Sequence, residues 1–348
     1  MAVLPALART SLTSTARRND GINALRGVAV ALVMLRHAFP HQFAGAGVVG
    51  VVMFFTLSGN LITTVLLTEL RRHGRIRLRR FALRRAARLV PALVVMMATL
   101  TAVTLLIDPL GDRNELVRTT LVAFTWTADL PFSHGSDAIF HLWTLAIEEQ
   151  FYVLWPLTLL VAWRTKKLGL TIGLIGGVSA ALCVLSLVWA GPRPDLVYTF
   201  PTSWWLCFAI GAASAIFRDR VRVPTVLWPF AGFVLLALSV FPLRGHSTTY
   251  LVWAPLIALL TAALVAISRR EWGTISLRLL RPLTALGAVS YAAYLWDYPL
   301  TLWLRGSFAG AELAAAALTV AAASLSWWLV EKPIARLAQR VWRTTSVG

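Results

Sequence analysis

Long runs of apolar residues, separated by short arginine-rich or polar segments, dominate the pattern of this chain. A run of about 20 apolar residues is long enough to cross the hydrocarbon core of a bilayer as a helix. Such runs predict about ten membrane-spanning helices, at 22–40, 46–68, 89–107, 141–163, 168–189, 200–217, 225–241, 249–267, 283–303 and 312–330. A weaker, amphipathic stretch from Asn114 to Phe132 is expected to lie at the membrane interface rather than to span. The pattern predicts an all-α polytopic membrane protein, embedded in the cell membrane by multiple passes.

The positive charges between these runs indicate how the helices are oriented. Cytoplasmic loops of membrane proteins carry an excess of lysine and arginine. With a cytoplasmic N-terminus, the basic segments all fall on the cytoplasmic side: Arg71 to Arg88, Arg164 to Lys167, Arg218 to Arg222, Arg269 to Arg281 and the C-terminal tail. We therefore expect both termini in the cytoplasm. The domain organisation expected is a flexible cytoplasmic tail over 1–19, a membrane domain over 20–335 and a basic cytoplasmic tail over 336–348.

Composition supports the same class of protein. The chain is 58% hydrophobic and only 14% charged, whereas soluble domains are about 25% charged. A net charge of +18 is typical of nucleic-acid binding, but these arginines lie between apolar runs, where they meet anionic lipid. The lipid bilayer is the expected partner, and nucleic acid is not. Cys183 and Cys207 both lie inside apolar runs, and no zinc-binding spacing occurs, so we expect neither a disulfide framework nor a metal.

The first predicted span carries Arg26 and His37 into a stretch that is otherwise apolar. Ionisable groups at membrane depth are costly and usually face a cavity where they have a function. The eleven-residue spacing places both side chains on one helical face, roughly 16 Å apart along the axis. A cation at one end of this face and an imidazole at the other indicate an elongated anionic ligand.

Arg84, Arg85 and Arg88 continue an arginine-rich loop into the third span. Two interpretations stay open for them. A guanidinium group matches the geometry of phosphate, so the three residues could form a phosphate-binding cluster at the cytoplasmic surface. Alternatively, they orient the helix and contact lipid headgroups, which is the reading we prefer for Arg71 to Arg80.

The fourth span opens with His141 and continues to Glu148, which lies on the same helical face. We predict that Glu148 projects into the cavity that contains His37 and orients its imidazole, because a buried carboxylate can fix the tautomer of a histidine. The alternative is an ion pair with Arg26 or Arg36 that only joins helices.

The ninth span contains Asp297 within an aromatic run that also includes Tyr294. Asp297 either lines the path of an acceptor or caps the helix where Pro299 interrupts it. We take His141, Trp143, Tyr294 and Asp297 as candidate substrate-binding residues.

In the second span, the polar run Ser58-Gly59-Asn60 has two interpretations. Small residues allow helices to approach closely, and this packing role is the one we prefer. The alternative is a local unwinding that offers backbone groups to a ligand.

These segments together resemble the integral-membrane acyltransferase-3 family. Six matching pieces occur in family order from about residue 20 to 335, among them Asn23-Ala-Leu-Arg26-Gly27 with His37, Arg84-Arg85-Ala-Ala-Arg88, His141-Leu-Trp-Thr-Leu-Ala-Ile-Glu148-Glu149-Gln150 and Glu331-Lys-Pro. The resemblance implies a ten-helix enzyme that transfers an acyl group, usually acetyl, from cytoplasmic acyl-CoA to a hydroxyl of a carbohydrate-containing acceptor. It also implies that His37 is catalytic and that Arg26, Arg85 and Arg88 serve the acyl donor. The chain departs from the family at Asp297, where many members have histidine.

The polar residues of the spans and the family resemblance together predict one mechanism. The phosphates of CoA lie against Arg84, Arg85 and Arg88, and the pantetheine arm reaches outward along the first helix. His37 acts as general base with Glu148 orienting it, or it forms an acyl-histidine intermediate. The rival hypothesis from another class is a proton-coupled transporter or flippase of an anionic substrate.

Overall fold

The computed structural model describes residues 4–131, 135–271 and 277–344, and its side chains over 20–131, 135–269 and 280–338. Every regular element in these residues is helical. The α-helices are α1 Leu4–Ala38, α2 Ala46–His73, α3 Leu78–Leu106, α4 Leu116–Thr125, α5 Trp143–Arg164, α6 Leu168–Ala190, α7 Trp205–Ile216, α8 Leu227–Leu238, α9 Ala254–Glu271, α10 Leu277–Ala288, α11 Ser290–Leu304, α12 Ala311–Ser326 and α13 Lys332–Thr344. A turn of 3-10 helix, Asp137–Leu142, precedes α5, and π-helical turns precede α9 and α13.

The ten predicted apolar runs all fall on helical segments, but the run 283–303 is not a single helix, because it is divided at Val289 between the end of α10 and α11. Six helical segments within the described residues are long and apolar enough to cross a membrane: Ala46–His73, Leu78–Leu106, Asp137–Arg164, Leu168–Ala190, Thr249–Arg269 and Ala311–Ala338. Helices α7 and α8 have 12 residues each, which gives about 18 Å of length against a hydrocarbon core of about 30 Å. The chain is therefore an all-helical, multi-pass membrane protein. The full set of ten spans and the cytoplasmic termini stay predictions.

Helix α2 lies at the centre of the bundle, and its small residues bring neighbouring backbones into contact. A Cβ atom at Gly59 would overlap the carbonyl oxygen of Phe208 in α7, and one at Gly211 would overlap that of Thr56. The helix runs without interruption from Ala46 to His73. The packing role predicted for Ser58-Gly59-Asn60 is thus confirmed, and no unwinding occurs there.

Helix α1 is held between α2 and α10 by the same kind of close approach. A Cβ atom at Gly27 would overlap the backbone of Leu283, and one at Gly50 would overlap the carbonyl oxygen of Ala29. Since the backbones touch, α1 has little freedom to shift. The helix that carries the predicted donor and catalytic residues is therefore a rigid support.

The stretch predicted to lie at the interface forms α4 and a segment that returns beside it. The backbone N–H of Ser136 donates to Thr119 Oγ1 at 2.7 Å, so the returning chain meets the first turn of α4. We call residues 116–131 with 135–136 the α4 hairpin. At its tip, Gln150 Nε2 of α5 donates to Asp129 Oδ2 at 2.7 Å. Because Gln150 lies midway along the spanning segment Asp137–Arg164, the hairpin reaches along α5 instead of staying at its end.

Asp129 is fully buried at this tip. Burial raises the pKa of its carboxyl above the ordinary value, and the hydrogen bond from Gln150 offsets part of that shift. The docking of the hairpin therefore depends on the protonation of one carboxyl group.

Candidate active site

A narrow cavity of about 70 Å³ lies among α1, α2, α3, α5 and α11. Its polar lining residues are Arg26, Ser58, Arg85, Arg88, Thr144, Glu148, Tyr152, Ser290, Tyr291 and Tyr294. We call it the central cavity. The structure thus brings together side chains from five helices that are far apart in sequence.

Arg26 reaches this cavity from α1, where Arg26 Nε donates to Ser290 Oγ of α11 at 3.0 Å. Arg85 comes from α3, and its guanidinium carbon lies 3.2 Å from the ring centroid of Tyr152. Arg85 Nη2 is also 3.5 Å from Glu149 Oε1. The predicted donor-binding arginines 26, 85 and 88 therefore converge on one cavity, where their positive charge suits an anionic ligand.

Glu148 lies on the wall of the same cavity. Its Oε1 accepts a hydrogen bond from Ser58 Oγ at 2.8 Å, and its Oε2 accepts one from Tyr152 Oη at 3.2 Å. Ser58 thus contributes its side-chain hydroxyl to the cavity wall, whereas the sequence suggested helix packing or, as the alternative, backbone groups offered to a ligand. A single hydroxyl at mid-span is compatible with both packing and binding, so the sequence does not separate the two roles.

A larger cavity of about 680 Å³ adjoins the central one, and we call it the basin. Its charged lining residues are Arg80, Arg84, Arg88 and Glu331. Arg84 therefore lies in the basin and not in the central cavity, while Arg88 lines both. The predicted cluster of Arg84, Arg85 and Arg88 is divided between two adjoining spaces, with Arg88 at their junction.

At the other end of α1, His37 Nδ1 lies 2.5 Å from Asp297 Oδ2 of α11. Asp297 is only 1% exposed, and the edge of the Tyr298 ring packs on the imidazole with centroids 5.0 Å apart. Asp297 sits in the middle of α11 and so does not cap that helix. The structure thus contains a histidine–carboxylate dyad at this end.

The prediction that Glu148 orients His37 is wrong. Glu148 is hydrogen-bonded to Ser58 and Tyr152 in the central cavity, whereas the carboxylate that contacts His37 is Asp297. The reason is the packing of α1 against α11, which pairs Arg26 with Ser290 and, further along both helices, His37 with Asp297.

The remaining predicted substrate-binding residues lie in two different environments. Tyr294 lines the central cavity, accepts a hydrogen bond from Thr144 at 2.7 Å and donates to the His141 carbonyl at 3.0 Å. The buried His141 ring packs against Tyr294 and Tyr298, with centroids 5.5 and 5.4 Å apart. Tyr294 and His141 therefore lie between the central cavity and the dyad.

Trp143 does not line the central cavity. It is 2% exposed and packs against Phe55, Tyr198 and Trp204 with ring centroids 5.0 to 6.1 Å apart. Its assignment to substrate binding is corrected, because an indole enclosed by three aromatic rings is part of the packed core.

Comparison with known proteins adds to this geometry. A family model described as "Acyltransferase domain" matches residues 19–331. The chain is 26% identical over 344 residues to the O-acetyltransferase OatA of Staphylococcus aureus, covering 90% of this chain and 57% of that protein. It is 28% identical over 304 residues to the peptidoglycan O-acetyltransferase OatA of Listeria monocytogenes, covering 80% of this chain and 49% of that protein. The chain thus spans about half the length of these curated relatives. No solved structure matches it.

Proposed function

The chain belongs to this acyltransferase family, and on that premise we propose that it transfers an acetyl group from cytoplasmic acetyl-CoA to a hydroxyl of a cell-wall glycan. The observation that carries the proposal is the arrangement along α1. Arginines 26, 85 and 88 line the central cavity, which α1 borders at Arg26. The His37–Asp297 dyad lies at the C-terminal end of α1. This arrangement suits a long anionic donor at one end and base chemistry at the other.

The donor side of the proposal rests on the two adjoining cavities. The basin, with Arg84 and Arg88 on its wall, has the volume and charge to take the phosphate-rich nucleotide. The central cavity is narrow, which suits the extended pantetheine arm. Arg26 and His37 are roughly 16 Å apart along α1, a distance that an arm of this kind is able to bridge.

The chemistry is assigned to the dyad. Asp297 accepts a hydrogen bond from the Nδ1–H group of His37, which keeps the proton on Nδ1 and leaves Nε2 with the lone pair that a general base requires. Nε2 takes the proton of the acceptor hydroxyl as that oxygen attacks the thioester carbonyl. The C–S bond then breaks, and the leaving thiolate receives the proton from the imidazolium. Throughout, the buried Asp297 carboxylate stabilises the positive charge on His37.

Glu148 is assigned a different role from the one first expected. Its contacts to Ser58 and Tyr152 hold those hydroxyls on the cavity wall, and its charge offsets part of that of the three arginines. We therefore propose Glu148 as a positioning residue of the donor site.

The acceptor is proposed from the relatives, one of which is named a peptidoglycan O-acetyltransferase. In the predicted topology, His37 lies toward the outer face, where such a glycan is accessible. Tyr294 and His141, between the dyad and the central cavity, are proposed to line the space in which donor and acceptor meet.

The test uses the full chain reconstituted in proteoliposomes with acetyl-CoA labelled in its acetyl group and soluble peptidoglycan fragments. We expect free CoA together with label on the glycan, and a loss of about 100-fold or more for His37→Ala. His246→Ala is the matched control, because His246 is exposed and its ring is hydrogen-bonded to the backbone carbonyl of Arg244, away from the dyad. Transfer that persists in His37→Ala would refute the proposed base. Uptake of label into the vesicles without labelled glycan would favour the transporter hypothesis.

A further inference from the structure

A groove of about 330 Å³ runs between α3 and α5 on the outer surface of the bundle. Its apolar walls consist of Leu78, Phe81, Ala82, Ala86 and Val90 on α3, and Val153, Pro156 and Leu157 on α5. Several of these side chains are open to the surroundings, with 65% of Val153 and 48% of Leu157 exposed. In a membrane-spanning bundle, an apolar groove open on this side faces lipid chains.

The groove has a closed end and a basic end. Trp126, at the tip of the α4 hairpin, closes the first. At the other end, Arg79 lies on the face of α3 that lines the groove. It shares that face with Ala82 and Ala86, which come three and seven residues later. Arg164 lies on the groove-lining face of α5, seven residues after Leu157.

These two arginines lie at the same end of the bundle. The start of α3 and the end of α5 share a hydrophobic cluster, in which Ile76 and Phe81 pack with Leu159 and Trp163. Arg79 and Arg164 are both exposed. The groove therefore leads from an apolar interior to a surface that carries a guanidinium group on each wall.

The length of the groove matches one leaflet. From Leu78 to Val90, α3 rises about 18 Å, whereas the whole hydrocarbon core is about 30 Å thick. A ligand that fills this groove consequently has a chain of leaflet length and a headgroup at the arginines.

We propose that this groove binds one anionic phospholipid, with an acyl chain along the α3 and α5 walls and the phosphate between Arg79 and Arg164. Aliphatic walls match the chain, and planar guanidinium groups match the phosphate. A net negative headgroup is favoured over a zwitterionic one, since Glu149 is the one acidic residue among the described residues that line the groove, and its Oε1 faces Arg85.

The groove also has a direct link to the central cavity. Arg85, Leu89 and Tyr152 line both spaces, and Arg85 connects α3 to Glu149 and Tyr152 of α5. The bound chain therefore lies against the residues that separate the donor site from the membrane. It would seal the central cavity on its lipid side.

The test is native mass spectrometry of the purified full chain, titrated with dioleoylphosphatidylglycerol or dioleoylphosphatidylcholine. We expect the phosphatidylglycerol to be retained preferentially. Arg79→Gln and Arg164→Gln should each weaken its binding about fivefold, from about 1 kcal/mol per arginine. Ala86→Trp should block the groove, whereas Ala98→Trp, at an exposed position further along α3, should not.

Equal retention of the two lipids, or equal retention by both tryptophan variants, would overturn the proposal. Monodisperse elution of each variant checks that it folds. The readout is lipid binding and not acetyl transfer, so its result is independent of whether the proposed function holds.

Discussion

Replacing Asp297 by asparagine tests the dyad with the smallest change of shape. The carboxylate is 1% exposed and lies 2.5 Å from His37 Nδ1. An amide in its place no longer carries the charge that stabilises a protonated imidazole. If the amide donates to Nδ1, the ring proton moves to Nε2, and the nitrogen that faces the acceptor loses its lone pair.

The expected cost follows from that change of tautomer. Losing a correctly held base reduces the rate by about 100- to 10,000-fold, which corresponds to about 2.7 to 5.4 kcal/mol of activation free energy. Because Asp297 does not line the central cavity, where the donor is proposed to bind, the KM for acetyl-CoA should change little. The loss should therefore appear in kcat.

The assay measures release of free CoA at saturating acetyl-CoA, with the thermal unfolding midpoint of each variant recorded beside it. Asp219→Asn is the control, since that carboxylate is 77% exposed and pairs with its neighbour Arg218. A kcat for Asp297→Asn within about threefold of the unsubstituted chain, in folded protein, would refute the role of the dyad, because it corresponds to less than 1 kcal/mol.

Three further predictions rest on other parts of the structure. Arg88→Ala should raise the KM for acetyl-CoA about tenfold or more with little effect on kcat, as expected for a lost charged hydrogen bond; an unchanged KM would contradict its place at the donor site. The raised pKa of Asp129 means that the α4 hairpin is most firmly docked below pH about 4 and loosens as the pH rises through the raised value. Hydrogen exchange of the hairpin should show this trend, and Asp129→Asn should abolish it; a trend that survives in the variant would assign it elsewhere. Gly59→Leu should lower the unfolding midpoint strongly, because its side chain would overlap the Phe208 backbone, whereas Gly232→Leu, at a position with no neighbour within 4 Å, should not.

The helices could be predicted from the sequence because the bilayer imposes one rule on every span. Each apolar run must satisfy its own backbone hydrogen bonds, so its length and composition indicate a helix directly. Polar residues inside such runs are rare and usually functional, which is why Arg26, His37 and Glu148 could be singled out without any knowledge of packing.

The partners of those residues could not be predicted in the same way. Helical periodicity gives the face on which Glu148 lies, but the neighbour of that face depends on how α1, α5 and α11 pack. That packing comes from side-chain shapes along whole helices, and no short motif encodes it. For the same reason, Asp297 could be recognised as an unusual residue, but its contact with His37 could not be predicted.

The position of the α4 hairpin is even harder to predict from the sequence. Its sequence is amphipathic and too short to span, which is equally compatible with lying on the surface and with reaching along α5. The hydrogen bond between Gln150 and Asp129 holds the hairpin along α5. Nothing in the sequence around either residue indicates that the two are partners.

The convergence of Arg26, Arg85 and Arg88 on one narrow cavity has a consequence for the membrane itself. A protein that passes a donor arm through the bilayer risks opening a leak for protons, which would dissipate the membrane potential. Fixed guanidinium charges at a constriction repel protons and other cations electrostatically, as in selective water channels. We therefore expect the arginines that are proposed to bind the donor to keep the cavity closed to protons as well, so vesicles containing the protein should hold a pH gradient as long as empty ones.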